Sequence, residues 1–187
     1  MHESVLLNET VESLNLKDNT IAVDMTLGFA GHSSQILKRI KNGYLFAFDQ
    51  DEEALAYSKD KLSTIGNNFQ IIDSNFVYAR KKLNELGIEK VDAILYDLGV
   101  SSPQLDEDYR GFSYRFDAPL DMRMDKDNKL TAKIIVNTYS YDKLKKIFKE
   151  YGESKFSSNI ARNIVKYRES KEIDSRQYRT FHHYKNR

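Results

Sequence analysis

Two hydrophobic patterns alternate over the first hundred residues. Four short apolar runs each end in an aspartate, at residues 21–24, 44–49, 69–73 and 91–97. Their length and their content of aromatic and β-branched residues predict buried strands. Between them, apolar residues recur at helical spacing over residues 33–40, 52–62 and 77–86. Strands that alternate with helices of this length predict an α/β fold with a doubly wound parallel sheet.

The alternation stops after Asp97. Residues 98–130 are predicted to form a long irregular segment, and loops of this length in a compact domain usually have a functional role. Helical spacing returns at residues 131–138, 141–150 and 154–168, which predicts a small helical unit. No fifth strand is predicted, so we expect an incomplete sheet, because doubly wound domains normally carry more strands. Residues 175–187 lack acidic side chains and amphipathic spacing, and predict a basic tail.

Composition narrows the class of protein. The 187 residues contain no cysteine, which excludes disulfides, thiolate metal sites and a cysteine nucleophile. No apolar run approaches the roughly 20 residues that span a bilayer, and the acidic N-terminus does not resemble a signal peptide. We therefore expect a cytoplasmic protein without a membrane partner.

Charge is divided unevenly along the chain. Residues 1–100 carry 10 basic and 15 acidic side chains, whereas residues 101–187 carry 19 basic and 13 acidic ones. This division is typical of a first half that handles a small ligand and a second half that meets an anionic partner. Lysine-rich helices that only keep the protein in solution explain the same division, so charge alone leaves both interpretations open.

A turn containing glycine follows the first predicted strand, at residues 24–32. Gly28 and Gly31 allow the backbone to turn tightly and to approach a bound nucleoside. Asp49 ends the second strand, at a position where a carboxylate typically accepts hydrogen bonds from ribose hydroxyls. Because Ala30 and Ser33 interrupt the three-glycine dinucleotide fingerprint, S-adenosylmethionine fits this pattern better than NAD. A turn that serves only packing is the alternative.

Asp97 ends the fourth predicted strand, and ligands of open parallel sheets bind beyond such strand ends. We expect Asp97 to be catalytic, accepting a hydrogen bond from an amine that attacks a methyl sulfonium. Without cysteine, methylation of a pyrimidine C5 through a covalent adduct is excluded, so the target is expected to be nitrogen or oxygen. No metal is required. A role for Asp97 in capping a turn is the alternative.

Cations and aromatic residues alternate over residues 110–124. This pattern is typical of phosphate contacts combined with base stacking on single-stranded nucleic acid. The candidate RNA-contacting residues are Arg110, Phe112, Arg115 and Arg123. A lid that packs on its own aromatics, Tyr114 and Phe116 among them, is the alternative. None of His2, His32 and the pair His182 and His183 predicts a metal site.

Together with residues 5–9, these segments resemble the bacterial 16S ribosomal RNA cytosine-N4 methyltransferases of the RsmH or MraW type. The resemblance extends over residues 2–173 and is most specific at residues 97–106, 110–113, 119–124 and 151–153. It implies methyl transfer from S-adenosylmethionine to N4 of a cytidine in the decoding region of the small ribosomal subunit. The cofactor contacts that it implies are Ala30, Gly31, His32, Asp49, Phe76, Asp97 and Gln104.

The resemblance also implies a domain organisation. Residues 1–104 are expected to begin the methyltransferase domain, and residues 105–173 to form an inserted helical domain on the substrate side. Residues 174–187 form a tail that does not match the family, in which further strands follow. We therefore expect a truncated chain that self-associates through its uncompleted sheet.

The sequence departs from the family pattern at two places. Phe29 and Ala30 stand where smaller, glycine-rich residues are common, and Ala118 replaces a usual glycine. Three alternatives remain open: a non-catalytic fragment that binds cofactor or RNA, an amino-methyltransferase acting on DNA, and, as the poorest fit, a dinucleotide-dependent dehydrogenase.

Overall fold

The computed structural model describes residues 4–113, 115 and 117–175, and contains two compact units, Met1–Gly99 and Val100–Arg187. Most of the predicted tail lies outside the described residues, as do His2, Tyr114, Phe116, His182 and His183. Within the described ranges, no helix is long and apolar enough to cross a membrane. The domain boundaries expected at residues 104 and 173 stay predictions.

The first unit alternates strands and helices as predicted. Its elements are α1 (Leu7–Ser13), β1 (Ile21–Asp24), α2 (Gly31–Arg39), β2 (Tyr44–Asp49), α3 (Glu52–Ser63), β3 (Phe69–Asp73), a 3₁₀ turn (Phe76–Tyr78), α4 (Ala79–Glu85) and β4 (Ala93–Leu95). The helix α1 has no counterpart among the predicted elements. β4 is shorter than predicted. Beyond its carboxyl end the Asp97 N–H donates to the Thr26 hydroxyl and not to a main-chain carbonyl of the neighbouring strand.

All four strands are parallel, in the order β3-β2-β1-β4. This arrangement confirms the predicted doubly wound fold class. The chain runs outward from β1 to β3 and then returns to the other side of β1, so the strand order reverses between β1 and β4. In open α/β sheets, ligands bind beyond the carboxyl ends of the strands at such a reversal. The fold therefore directs attention to the residues that follow β1 and β4.

Side chains alternate between the two faces of the sheet. Ala22, Leu45 and Leu95 belong to a cluster with buried residues of α2 and α3, whereas Val23 and Phe48 pack in a second cluster with α4. This alternation is the period of two expected of strands with both faces covered.

β4 is one of the two edge strands of the sheet, and β3 is the other. Ile94 and Tyr96, on or next to this strand, are about half exposed, at 46% and 51%. An apolar edge strand is a surface on which another chain can pair. Self-association through this edge stays a prediction.

The second unit is mainly helical. Its elements are α5 (Ser102–Asp106), a 3₁₀ turn (Asp108–Arg110), α6 (Ala132–Thr138), α7 (Tyr141–Glu150) and α8 (Ser157–Arg168). Leu144 of α7 packs with Ala161 and Ile164 of α8 in a separate buried cluster. The three predicted helices are confirmed, although α8 begins three residues later than expected.

The helix α5 lies in the segment predicted to be irregular. Ser101 and Gln104 form a capping box: the Ser101 hydroxyl accepts from the Gln104 N–H at 3.4 Å, and Gln104 Oε1 accepts from the Ser101 N–H at 3.0 Å. Such a box satisfies N–H groups that the first turn of a helix leaves without partners. The pattern Ser101-x-x-Gln104, with Pro103 in the first turn, was the signal that could have predicted this helix.

Candidate functional site

The turn between β1 and α2 has a tightly constrained backbone. Gly28 has φ +48°, and Ala30, the residue before α2, has φ +54°. This left-handed region costs a residue with a side chain about 1 kcal/mol, and Ala30 is fully buried. Gly31 lies directly against the N-terminal segment, because a Cβ there would overlap Ser4 Oγ. Residues 28–31 therefore form a compact turn at the carboxyl end of β1.

Asp49, at the end of β2, binds this turn. One carboxylate oxygen accepts from the Gly28 N–H at 2.7 Å, and the other accepts from the N–H groups of Gln50 and Asp51 at 2.8 and 3.0 Å. A carboxylate offers roughly four acceptor positions, so the three main-chain bonds leave one position for a ligand. Asp49, which the sequence predicts as the ribose acceptor, therefore also fixes the shape of the turn next to the predicted ribose position.

Asp24, at the end of β1, is a site residue that sequence reasoning missed. It is 1% exposed, and its two oxygens accept from the Thr26 N–H at 3.0 Å and from the Ser33 hydroxyl at 2.7 Å. Burial raises the pKa of Asp24, and the bonds from Ser33 and Thr26 oppose that rise. Its place at the end of a central strand, directly before the turn, was the available signal.

Replacing Asp24 with asparagine should change how stability depends on pH. Between its ordinary pKa of 3.8 and the raised folded value, the folded protein binds more protons than the unfolded chain. The contribution of this carboxyl to stability therefore falls as pH rises through that interval. Asparagine does not titrate, so the free energy of unfolding of Asp24→Asn should increase relative to wild type over this interval.

Urea unfolding at several pH values measures this difference. The exposed Asp60 of α3 provides the control, because Asp60→Asn removes a carboxylate without burial. A difference between Asp24→Asn and wild type that stays constant with pH would contradict the raised pKa.

Asp97 follows β4 and contacts the same region. Its N–H donates to the Thr26 hydroxyl at 2.7 Å, and its carboxylate lies 3.7 Å from His32 Nδ1. His32 is buried, and its Nε2 lies 3.2 Å from the Val5 carbonyl oxygen. Because a carbonyl oxygen only accepts, Nε2 carries a proton and Nδ1 faces Asp97. The side chain of Asp97 is 47% exposed, so it combines a fixed main chain with a solvent-accessible carboxylate.

Phe76 links the ends of β3 and β4. Its ring lies edge-on to Tyr96, with centroids 5.7 Å apart and an interplanar angle of 87°. Tyr96 directly precedes Asp97, so this contact places Phe76 at the carboxyl end of the sheet, where the turn also lies. Gln104 belongs to the second unit, where its side chain caps α5. A cofactor contact by Gln104 stays a prediction.

Six of the seven predicted cofactor residues thus lie beyond the carboxyl ends of neighbouring strands. The carboxylate of Asp49 and the main chain of Asp97 both bond to the turn, at Gly28 and Thr26. A shallow, open depression of the first unit lies elsewhere, along the 3₁₀ turn and α4, and none of the predicted residues lines it.

Two of the predicted RNA-contacting arginines are bound within their own loop. Arg110 is 3% exposed, and its guanidinium donates to the carbonyl oxygens of Arg123 and Met124 at 3.1 and 3.3 Å. It also lies 5.8 Å from the Phe112 ring, within cation–π range. The side chain of Arg110 therefore organises the segment in which it lies.

Arg123 binds Asp121 in a bidentate pair. Its Nε and Nη2 donate to the two Asp121 oxygens at 2.8 and 2.7 Å, and this pairing lowers the pKa of Asp121. The remaining Nη1 donates to the carbonyls of Lys126 and Asn128. Arg115 differs, because its side chain is 73% exposed. It forms one long ion pair, in which Nη1 lies 3.9 Å from the carboxylate of the similarly exposed Asp106. RNA contacts by these residues stay predictions.

The reversal of strand order beside β1 and the glycine turn at that point define a doubly wound α/β fold whose ligand site lies beyond the carboxyl ends of the strands. Within this class, the chain belongs to the MraW methylase family, which it matches over residues 1–178. This match confirms the resemblance stated from the sequence motifs.

Two solved structures are similar to parts of the chain. An rRNA methylase from Streptococcus thermophilus is 26% identical, with a TM-score of 0.40, over 49% of this chain and 51% of that chain. NSun6 from Pyrococcus horikoshii, solved with SFG, is 24% identical, with a TM-score of 0.43, over 52% of this chain and 24% of that chain. The chain thus spans about half of the first structure and about a quarter of the second.

Proposed function

We propose that this chain transfers a methyl group from S-adenosylmethionine to N4 of a cytidine in 16S ribosomal RNA. Membership of the MraW methylase family supports methyl transfer. The observation that carries the proposal is the position of Asp97, an accessible carboxylate beyond β4 whose main chain bonds to the turn after β1. A ribosomal substrate implies a cytoplasmic location.

The residues around the turn fit an adenosyl group. Asp49 keeps one acceptor position for a ribose hydroxyl, and Gly28 has no side chain to prevent close approach. We propose that Gly31, at the start of α2, contacts the cofactor and that Phe76 offers an aromatic surface. Ala30 and His32, at 0% and 5% exposed, would support the turn from beneath the proposed cofactor site. When bound, S-adenosylmethionine supplies an electrophilic methyl group on a sulfonium.

Asp97 would orient and deprotonate the nucleophile. The exocyclic amine of cytidine donates its lone pair to the ring, so it attacks well only when an acceptor holds its N–H groups. The Asp97 carboxylate would accept that hydrogen bond and then the proton that the amine loses on forming its bond to the methyl carbon, while the bond from that carbon to sulfur would break and leave a neutral thioether. The buried ring of His32, with Nδ1 3.7 Å from Asp97, would limit the space open to this carboxylate on one side.

The second unit would bind the RNA. We propose that Arg115, whose guanidinium is largely exposed, contacts phosphate, and that Phe112 contacts a base. Arg110 and Arg123 would act mainly by shaping the loop, because their guanidinium groups already bind within it. We further propose that residues 105–173 form a substrate-side insertion in a methyltransferase domain that begins with residues 1–104.

A label-transfer assay tests this function. The purified chain is incubated with methyl-labelled S-adenosylmethionine in three separate reactions. One contains unmethylated small ribosomal subunits, one contains free 16S RNA and one contains duplex DNA. We expect label in 16S RNA that nuclease digestion recovers as N4-methylcytidine. Label at another base or in DNA would contradict the proposed specificity. Calorimetric binding of S-adenosylmethionine without label in any substrate would favour the alternative of a non-catalytic fragment.

A further inference from the structure

The main-chain ladder between β1 and β4 ends in an unusual way. The Met25 N–H still donates to the Leu95 carbonyl at 2.9 Å. Two residues further along, the Asp97 N–H donates to a side chain instead, the hydroxyl of Thr26, at 2.7 Å. A side-chain acceptor thus takes over where the strand pairing stops, at the residue with the proposed catalytic carboxylate.

Thr26 is itself anchored by a buried group. Its N–H donates to Asp24 at 3.0 Å, and the other oxygen of Asp24 accepts from the Ser33 hydroxyl of α2 at 2.7 Å. Asp24 and Ser33 are almost inaccessible to solvent, at 1% and 0% exposed. A continuous series of hydrogen bonds therefore runs from α2 through the end of β1 to the main chain of Asp97.

We propose that Thr26 is a positioning residue whose hydroxyl fixes the main chain of Asp97 and thereby aims its carboxylate. This inference rests on the proposed catalytic role of Asp97. Because Thr26 branches at Cβ, its χ1 angle is restricted and its hydroxyl is held in place. Displacing a reacting group by about 1 Å can cost about 100-fold in rate. The loss of this one bond should therefore affect turnover more than cofactor binding.

The substitution Thr26→Val tests the inference because valine keeps the branched shape and removes the acceptor. We expect kcat for methyl transfer to fall about 30-fold or more, while calorimetry with S-adenosylmethionine shows a dissociation constant within about threefold of wild type. Thr26→Ser restores the hydroxyl and should recover most of the rate. The matched control is Thr64→Val, because the Thr64 hydroxyl bonds only at the exposed end of α3.

A second readout does not depend on activity. Hydrogen exchange of the Asp97 amide, followed by NMR, should accelerate about tenfold in Thr26→Val and stay near the wild-type rate in Thr26→Ser. If Thr26→Val does not fold, Thr26→Ala replaces it, since alanine also lacks the acceptor and requires less space.

The results separate this inference from the proposed function. Wild-type turnover and slow Asp97 exchange in Thr26→Val would overturn the positioning role, as would equal losses in Thr26→Val and Thr26→Ser. If the wild-type chain transfers no methyl group, the proposed function fails. The exchange rate then still shows whether Thr26 holds Asp97, and unchanged exchange in Thr26→Val would overturn that as well.

Discussion

Replacing Asp97 with asparagine is expected to lower kcat for methyl transfer by about 10²- to 10³-fold. Asparagine has the same shape, but it cannot accept the proton that the attacking amine loses. The bond from the Asp97 N–H to Thr26 belongs to the main chain and is retained in the variant. Because the carboxylate is 47% exposed, removing its charge should leave folding intact. Initial rates with labelled S-adenosylmethionine and small ribosomal subunits measure the effect.

The control for this experiment is Asp60→Asn, which removes an exposed carboxylate from α3 and should keep the wild-type rate. Thermal unfolding of both variants shows whether each remains folded. Turnover of Asp97→Asn within a few-fold of wild type would exclude Asp97 as the proton acceptor. The cofactor site around Asp49 would then remain, but the proposed route for the proton would not.

The sheet could be predicted because its signal is local. Each strand is a short apolar run that ends in an aspartate, and the alternation with helices determines that neighbouring strands are parallel. The carboxyl ends of such strands lie at one edge, so Asp49 and Asp97 could be assigned to one site before their contacts were known. The structure adds that both bond to the turn after β1.

The roles of Asp24 and Thr26 could not be predicted in the same way. Both act through hydrogen bonds between groups that only the folded chain brings together, and the bond from Asp97 to Thr26 spans 71 residues. A strand-end aspartate can be a ligand acceptor or a buried anchor. Burial distinguishes the two, since Asp24 is 1% exposed whereas the Asp97 side chain is 47% exposed.

The arginines of the second unit show a related limit. An alternation of cations with aromatics predicts nucleic-acid contacts, yet main-chain carbonyl oxygens also accept hydrogen bonds from a guanidinium. Arg110 and Arg123 donate to such carbonyls, whereas Arg115 is exposed beside Asp106. Sequence spacing does not distinguish these cases, because the carbonyl acceptors become available only when the loop has folded.

Asp49 differs from Asp97 because its carboxylate already holds the protein together. Its three main-chain bonds come from Gly28, Gln50 and Asp51, and two of these donors belong to the connection between β2 and α3. A change at Asp49 should therefore affect cofactor binding and stability together, whereas a change at Asp97 should affect turnover much more than stability. This contrast makes the two aspartates separable by experiment.

The substitution Asp49→Ala is expected to weaken S-adenosylmethionine binding about 30-fold or more and to destabilise the protein by about 2 kcal/mol. The ribose loses its acceptor, and three N–H groups lose a charged partner. Calorimetry measures the first effect and urea unfolding the second, with Asp60→Ala as the exposed control.

Asp49→Asn divides the two effects. Its amide oxygen can still accept from Gln50 and Asp51, but its NH₂ group would face the Gly28 N–H, donor against donor. We therefore expect a smaller loss of stability than in Asp49→Ala, with cofactor affinity still strongly reduced. Wild-type affinity in both variants would show that the acid at the end of β2 does not contact the cofactor, and the site would have to be assigned to other residues.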